Sequence, residues 1–296
     1  MMKTIWMLGI WFSTLLAGVQ AAGGKVHSQP ENEPALPMEV NDLNILQRIE
    51  SETTKLIDAH QVTPMSNLLS QTNRAHCQLK LTNPGSRVLT PHQIHNAKTD
   101  GVFIVAGLYK CPRCTRWHAN TAGAYAITPG GAAVTCFHVL LTSNSVAMVA
   151  MNRSGKIFPV TEVLAADPVN DLAIVQLEGS GFTPLAISTN AFPGEKVVAI
   201  SHPDQKFYTL TAGLISRYAV VRKPTGPAGI LDITADFARG SSGCPVFNER
   251  GAVIGTICST ESVYYNENAG HRDNLQMVIK HCIPTKALLN LVQPLR

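Results

Sequence analysis

The chain has 296 residues, and 45% of them are hydrophobic, which is enough for one large or two modest domains with an apolar core. Its formal net charge of +4 is small for this length. Lysine and arginine form no runs interleaved with aromatic residues, so the composition argues against nucleic-acid binding and we expect no such partner.

The first 21 residues have the pattern of a secretory signal peptide. Lys3 supplies the positive start, Ile5–Leu16 the apolar stretch, and Val19–Ala21 a small-residue cleavage site. The apolar stretch is shorter than the roughly 20 residues that a membrane span needs. We therefore expect export to the periplasm or the medium, cleavage of the segment, and no stable membrane association afterwards. An uncleaved anchor is the alternative.

Residues 22–94 are predicted to form an N-terminal extension that is partly disordered and contains a short helix. The stretch 22–37 is rich in Gly, Pro, Glu, Asn and Ser, which bury too little apolar surface to become ordered. Residues 40–57 place Leu and Ile at mostly helical spacing, with Asn41 and Asp42 as candidate caps. We expect this helix to pack on the following domain. The alternatives are that it occludes a cleft as a pro-segment or binds a partner.

A C-x-x-C motif, CPRC, places Cys111 and Cys114 close together in a chain with seven cysteines. In an exported protein we expect disulfides, and an odd count leaves at least one thiol outside them. The motif is compatible with a structural disulfide, a redox dithiol, or half of a zinc site with His118. A second C-x-x-C is missing, so zinc would need Cys136 or Cys77 as a further ligand. We favour a disulfide clip.

From Gly101 onward, short β-prone runs alternate with Gly, Pro and Asn, a texture typical of an all-β barrel or sandwich. A final helix is predicted over residues 284–292. The predicted strands are 102–105, 122–127, 132–139, 146–151, 172–177, 196–201, 209–215, 231–234, 245–247 and 252–257.

Three polar residues beside these runs have the pattern of nucleophilic catalysis. His138 lies near the end of the run AAVTCFHVL, and Asp171 opens the strand in ADPVNDLAIV. Ser242 lies in ARGSSGCPVF, where flanking glycines and the following proline favour a tight turn that exposes the hydroxyl. A neutral imidazole can take the proton of a serine, and a carboxylate can fix the imidazole tautomer.

The three stretches occur in the order His, Asp, Ser and resemble the T-x-x-H-V, D-L-A-(I/V/L) and G-x-S-G-x-P motifs of trypsin-like serine peptidases of chymotrypsin fold. The similarity covers about residues 95–295 and is nearest to the bacterial HtrA-like branch, although we expect no PDZ domain after it. It implies an all-β fold: two packed six-stranded antiparallel barrels, with an N-terminal extension and a C-terminal helix. The implied domain is 95–296, with barrel 1 at about 95–185 and barrel 2 at about 186–283.

The resemblance also implies an exported serine endopeptidase that acts on protein or peptide substrates. His138 would be the general base, Asp171 would orient it, and Ser242 would form an acyl-enzyme. The backbone amides of Gly240 and Ser242 would form the oxyanion hole, because preorganised donors stabilise charge that develops on a carbonyl oxygen. This chemistry requires no cofactor and no metal.

Four residues are candidates for substrate binding. Asp236 lies six residues before Ser242, an offset that carries the acidic floor of the S1 pocket in the trypsin branch, so it would select Arg or Lys. Thr256, Ile257 and Cys258 lie on the strand after the serine loop, which lines the same region in the family. Separately, Cys258 and Cys282 are candidates for a disulfide inside the second barrel.

Two other functions are compatible with the sequence. A catalytically silent protein of this fold would bind partners, with the N-terminal segment as its docking element, although none of the three catalytic residue types is missing. A thiol oxidoreductase centred on Cys111 and Cys114 would need a βαβ context near the motif, whereas the flanking residues are β-like.

Overall fold

The computed structural model describes residues 39–114, 116–142, 144–224, 226–268 and 271–294. The predicted signal peptide and the stretch 22–37 lie outside the described residues. From Val40 onward the described chain forms a single unit. None of the described helices is both long enough and apolar enough to cross a membrane.

Strands and helices are numbered in chain order. The helices are α1 Asp42–Asp58, α2 Met65–Leu69, α3 Pro91–Lys98, α4 Phe137–Leu140 and α5 Thr285–Leu291. Two short strands, β1 Cys77–Gln78 and β14 Val292–Gln293, pair in parallel and join the N-terminal extension to the C-terminal end of the described chain.

The remaining strands form two closed six-stranded antiparallel barrels, as the resemblance implied. Barrel 1 has the order β2-β3-β4-β7-β6-β5, and barrel 2 has the order β10-β13-β12-β11-β8-β9. The strands of barrel 1 are β2 Val102–Lys110, β3 Trp117–Ala126, β4 Ala132–Cys136, β5 Ala147–Met151, β6 Ile157–Asp167 and β7 Leu172–Leu177. Those of barrel 2 are β8 Lys196–Ser201, β9 Thr209–Lys223, β10 Gly226–Ile233, β11 Pro245–Asn248, β12 Val253–Asn268 and β13 His271–Pro284.

The strands of barrel 1 are rich in Val, Ile, Ala and Met, and β4 and β5 are buried along their whole length. Helix α1 covers part of this barrel. Its N-cap Asn41 accepts a hydrogen bond from the N–H of Asn44, and Ile49 and Thr53 face inward and are fully buried. Asp42 also accepts the N–H of Phe207 at 2.9 Å, so the helix contacts barrel 2 as well. The helix expected at 40–57 thus lies against the barrels.

Among the local expectations that differ from the structure, two concern strands that border the candidate site. The run 132–139 is not one strand, because β4 ends at Cys136 and a single helical turn, α4, carries His138. The run 252–257 continues far beyond the barrel as β12, which pairs with β13 as far as Asn268 and His271. Side chains on the outer part of this hairpin are mostly exposed, so they lack the burial pattern that marks a core strand.

Candidate active site

His138 and Asp171 are brought together by the pairing of β4 with β7. Cys136 lies opposite Leu172, so the residues just beyond these strand ends are neighbours. His138 Nδ1 lies 2.7 Å from Asp171 Oδ2, and the backbone N–H of His138 donates to Oδ1 at 2.8 Å. The carboxylate therefore holds both the ring and the backbone of the histidine, and it turns Nε2 away from itself.

A tight turn sets the position of Asp171. Its φ is 61°, in the left-handed region that aspartate tolerates better than most residues. Asp167 Oδ1 accepts the N–H groups of Val169 and Asn170, both at 2.9 Å, and so closes the turn just before Asp171. Asp167 is therefore a structural residue of the turn.

The charge of Asp171 is stabilised by its neighbours. Its side chain is only 15% exposed, and this burial raises its pKa. The hydrogen bonds and charge of His138, together with a hydrogen bond from Cys258 Sγ to Oδ2 at 3.2 Å, outweigh burial and leave the pKa below its usual value. The carboxylate is therefore ionised at neutral pH, as a group that stabilises an imidazolium must be.

Ser242 lies in the loop before β11, clamped between the two barrels. Its C=O accepts the N–H of Gly123 in β3 at 2.7 Å, and the next residue, Gly243, donates to the C=O of Ile257 in β12 at 2.8 Å. The Ser242 hydroxyl donates to the C=O of Cys258 at 3.1 Å. Because the Cys258 thiol bonds to the carboxylate of Asp171, one residue of β12 joins the serine to the aspartate–histidine pair.

Glycine is required where the barrels meet. A Cβ at position 123 would lie 2.1 Å from Cys244 Sγ, and one at Gly243 would lie 2.1 Å from the carbonyl oxygen of Gly123. Tyr125 and Thr256 bridge the same junction through their hydroxyl groups, which are 2.9 Å apart. The junction fixes the serine loop of barrel 2 against β3 of barrel 1.

Residues 122–255, which include all three of these side chains, match the family described as trypsin-like peptidase domain. The match covers slightly less than half of the chain and shows that this stretch is similar to trypsin-like peptidases. Among curated relatives, a putative serine protease HhoA of Synechocystis is 30% identical over 158 residues, which are 50% of this chain and 39% of the relative. Serine endoprotease DegS of Salmonella typhimurium is 27% identical over 167 residues, or 55% of this chain and 46% of DegS.

This chain therefore aligns with less than half the length of these curated relatives. Among solved structures, the HtrA-type protease AlgW with decapeptide superposes with a TM-score of 0.55 at 17% identity, over 68% of this chain and 66% of AlgW. At that identity the superposition shows a common fold.

Two backbone N–H groups of the serine loop, those of Gly240 and Ser242, have no hydrogen-bond acceptor within the described residues. Gly240 has a φ of 94°, and a Cβ there would lie 2.7 Å from the C=O of His202, so only glycine is accommodated. The N–H of Ser241, which lies between these two residues, donates to the C=O of Ala238 at 3.1 Å. The N–H groups of Gly240 and Ser242 can therefore both donate to a substrate carbonyl.

Asp236 does not have the geometry of a specificity-pocket floor. Its side chain is 82% exposed, and its carboxylate lies 3.1 Å from Nζ of Lys280. The same ammonium group donates to the C=O of Phe237 at 2.7 Å. The floor of such a pocket is a buried charge facing the substrate, so the structure does not support the expected selection of Arg or Lys by Asp236.

Thr256 and Ile257 are both buried, so their side chains face the interior of the peptidase domain. The Thr256 hydroxyl contacts that of Tyr125 at the barrel junction. The C=O of Ile257 accepts two hydrogen bonds, one from the N–H of Gly243 in the serine loop and one from Cys136 Sγ at 3.2 Å. These two residues support the serine loop. Of the three candidates on this strand, Cys258 alone has a partly exposed side chain.

No disulfide joins any two of the seven cysteines, all of which lie within the described residues. The expected bridge between Cys258 and Cys282 is absent for a geometric reason. Ile257 is the residue opposite Cys282, and a bulge follows it, so the thiol of Cys258 is directed to Asp171.

The expected disulfide clip between Cys111 and Cys114 is also absent. Cys114 Sγ lies 3.0 Å from Nε2 of His118. That hydrogen bond, followed by bonds with the backbone of Arg116 and with Cys111, lowers the pKa of Cys114 to about 6.

Sequence reasoning missed the role of Cys258 in the site and the close approach of Gly123. A strand glycine is a known signal of close backbone approach, so Gly123 was detectable in principle. The direction of the Cys258 thiol depends on the bulge in β12, for which the sequence carries no local signal.

Proposed function

We propose that the protein is a serine endopeptidase that hydrolyses peptide bonds through an acyl-enzyme. The observation that carries the proposal is the hydrogen-bonded connection from His138 through Asp171 and Cys258 to the hydroxyl of Ser242. In the same loop as Ser242, the backbone N–H groups of Gly240 and Ser242 have no acceptor within the described residues. General base, nucleophile and oxyanion donors are the minimum set for acyl transfer.

In the proposed reaction His138 Nε2 removes the proton of Ser242 as the serine oxygen attacks the scissile carbonyl. Asp171 holds the tautomer with the proton on Nδ1 and stabilises the imidazolium. The N–H groups of Gly240 and Ser242 donate hydrogen bonds to the oxygen on which negative charge develops, and each such donor lowers the activation free energy by about 3–4 kcal/mol. The imidazolium then protonates the leaving amine, and a water molecule activated in the same way hydrolyses the ester.

Protein or peptide substrates and export are part of this proposal. The AlgW structures contain a decapeptide or a tripeptide, which supports peptide substrates here. Residues 1–21 have a signal-peptide pattern, and relatives from Marinomonas and Hahella chejuensis are named probable periplasmic serine endoproteases. Amino-terminal sequencing of the protein isolated from a bacterial periplasm should begin at Ala22; a cytoplasmic, uncleaved chain would contradict export.

The activity is tested by labelling the purified chain with a fluorophosphonate, followed by mass spectrometry of its peptides. We expect one adduct, on Ser242, because a phosphonate reacts with a serine whose hydroxyl is activated by a base. His138→Ala and Asp171→Asn should label far more slowly, and the aspartate substitution should lower kcat by about 10⁴-fold.

Ser241→Ala is the matched control, because Ser241 is adjacent in the chain, its side chain is fully buried, and its hydroxyl has no partner in the described residues. It should retain labelling. Equal labelling of the wild type and His138→Ala, or an adduct elsewhere than Ser242, would show that the serine is not activated and would favour a silent binding protein.

A further inference from the structure

A cluster of two cysteines and one histidine lies at the tip of the β2–β3 hairpin, at the opposite end of β3 from Gly123. The two thiol sulfurs of Cys111 and Cys114 and a ring nitrogen of His118 all lie within 4.8 Å of one another. All three side chains are partly buried. The catalytic proposal uses none of them.

The hairpin backbone holds these side chains in place. The N–H of Cys111 donates to the C=O of Arg116 at 2.9 Å and closes the loop that carries both cysteines. His118 is already on β3, paired with Tyr109 of β2, and the two rings lie 5.8 Å apart. The ligand atoms therefore come from a closed loop and the strand that follows it.

We propose that Cys111, Cys114 and His118 bind one Zn²⁺ ion, with solvent in the fourth position. Two sulfurs and one imidazole are a donor set that zinc prefers, at distances of about 2.0–2.3 Å from the ion. The two thiols release their protons to solvent on binding. Two thiolates and a neutral imidazole give a complex without net charge, so the nearby Lys110 and Arg113 do not oppose it.

A carboxylate of another element lies behind the histidine. Glu50 of α1 places Oε1 at 3.8 Å from Nδ1 of His118, while Nε2 of the same ring faces Cys114. At this distance the carboxylate attracts the ring without a direct hydrogen bond, and in metal sites a carboxylate on this side of a ligand histidine orients the ring. Zinc would thereby link the hairpin tip to α1.

The other cysteines considered as a fourth ligand are committed elsewhere. Cys136 Sγ donates to the C=O of Ile257 at the barrel junction, and Cys77 Sγ lies 3.6 Å from the C=O of Leu291. Within the described residues one further group has suitable ligand atoms close together, formed by Cys136, His138 and Asp171. It coincides with the active site, so the experiment must distinguish the two.

The test is titration of the reduced, metal-free full chain with Zn²⁺ against a chromophoric chelator, and with Co²⁺ followed by absorption. We expect one tight ion per chain and a thiolate-to-cobalt charge-transfer band. Cys114→Ser and His118→Ala should each weaken Zn²⁺ binding at least about tenfold and reduce the cobalt band. Glu50→Gln should keep the band and weaken binding less than either ligand substitution does, because its carboxylate lies 3.8 Å from Nδ1 of His118, beyond hydrogen-bond distance.

Cys77→Ser and His138→Ala are the controls and should bind both ions as the wild type does. Circular dichroism checks that each variant is folded. Loss of the ion in His138→Ala but not in His118→Ala would assign the metal to the active site and overturn the proposal. A reduced chain that gives no thiolate band, or that isolates with a Cys111–Cys114 disulfide and binds no zinc after reduction, would also overturn it.

Discussion

At the scale of single residues, Cys258 of barrel 2 contacts two residues of the proposed active site, Asp171 and Ser242. Its thiol lies 3.2 Å from Asp171 Oδ2, and its backbone C=O accepts the Ser242 hydroxyl. The first contact depends on the side chain and the second does not. Substitution of Cys258 therefore removes the contact with Asp171 and keeps the backbone contact with the Ser242 hydroxyl.

Cys258→Ala should lower kcat/KM about fivefold, because a hydrogen bond worth about 1 kcal/mol to the ionised Asp171 is lost. Cys258→Ser should restore most of the rate, since a hydroxyl can donate to the same carboxylate. The measurement is hydrolysis of one fluorogenic peptide by the wild type and both variants. Cys77→Ala serves as the control for removing a thiol that lies outside the site.

The same variant has a readout in stability. The pKa of Asp171 is lowered in the folded protein, so its charge contributes stability above its unfolded pKa, and this is lost as the pH falls through the folded pKa. In Cys258→Ala the thiol donor is lost, so the pKa of Asp171 in the folded protein should rise. Urea unfolding should then show a smaller contribution of Asp171 to the free energy of unfolding, and that contribution should be lost at a higher pH than in the wild type. Equal rates and equal acid sensitivity in the Ala and Ser variants would contradict this role.

At the scale of elements, the sequence predicted strands best where a core covers them. The runs 172–177 and 196–201 coincide with β7 and β8, whose apolar residues are buried. β6 was missed because Pro159 and polar Thr161 and Glu162 interrupt its apolar pattern. The long hairpin of β12 and β13 was missed because pairing, rather than burial, holds its exposed outer part.

For the candidate site, the motifs identified His138 and Asp171, which the structure brings within 2.7 Å of each other. The exposure of Asp236 was not predictable, because Lys280, 44 residues further along the chain, reaches its carboxylate only after β13 has folded back. Local spacing to Ser242 carries no information about such a contact. The sequence therefore predicts residues at strand ends, such as His138 and Asp171, better than residues such as Asp236, whose surroundings depend on a contact with a distant strand.

We expect helix α1 to be an integral part of the fold, with its inward face stabilising barrel 1. Ile49 is fully buried within the barrel core, so Ile49→Ala should lower the free energy of unfolding by about 2–5 kcal/mol. Leu43→Ala on the same helix is the control, because Leu43 is 63% exposed and should change stability by less than about 0.5 kcal/mol. Urea denaturation measures both.

If Ile49→Ala changed the free energy of unfolding only slightly and raised peptidase activity, the stabilising role of α1 would be contradicted. That result would identify α1 as a removable pro-segment that occludes the cleft.

At the scale of the whole molecule, function depends on how closely the two barrels approach. β3 of barrel 1 contacts the serine loop of barrel 2 directly, through the N–H of Gly123 and the C=O of Ser242. Neither barrel alone contains the proposed nucleophile and its base. The contact must therefore be precise as well as stable.

Gly123→Ala tests this dependence, because the new Cβ would lie 2.1 Å from Cys244 Sγ and must push the serine loop away from barrel 1. A displacement of about 1 Å can cost about 10²-fold in rate, so we expect kcat/KM to fall by that order. Gly229→Ala in β10 is the matched control: its Cβ would meet only Pro284, at an ordinary contact distance of 3.7 Å. Fluorophosphonate labelling rates and thermal unfolding of both variants separate misalignment from unfolding. Slow labelling of a folded Gly123→Ala would show that the barrel contact aligns the serine, whereas wild-type labelling would mean that the loop holds its geometry without barrel 1.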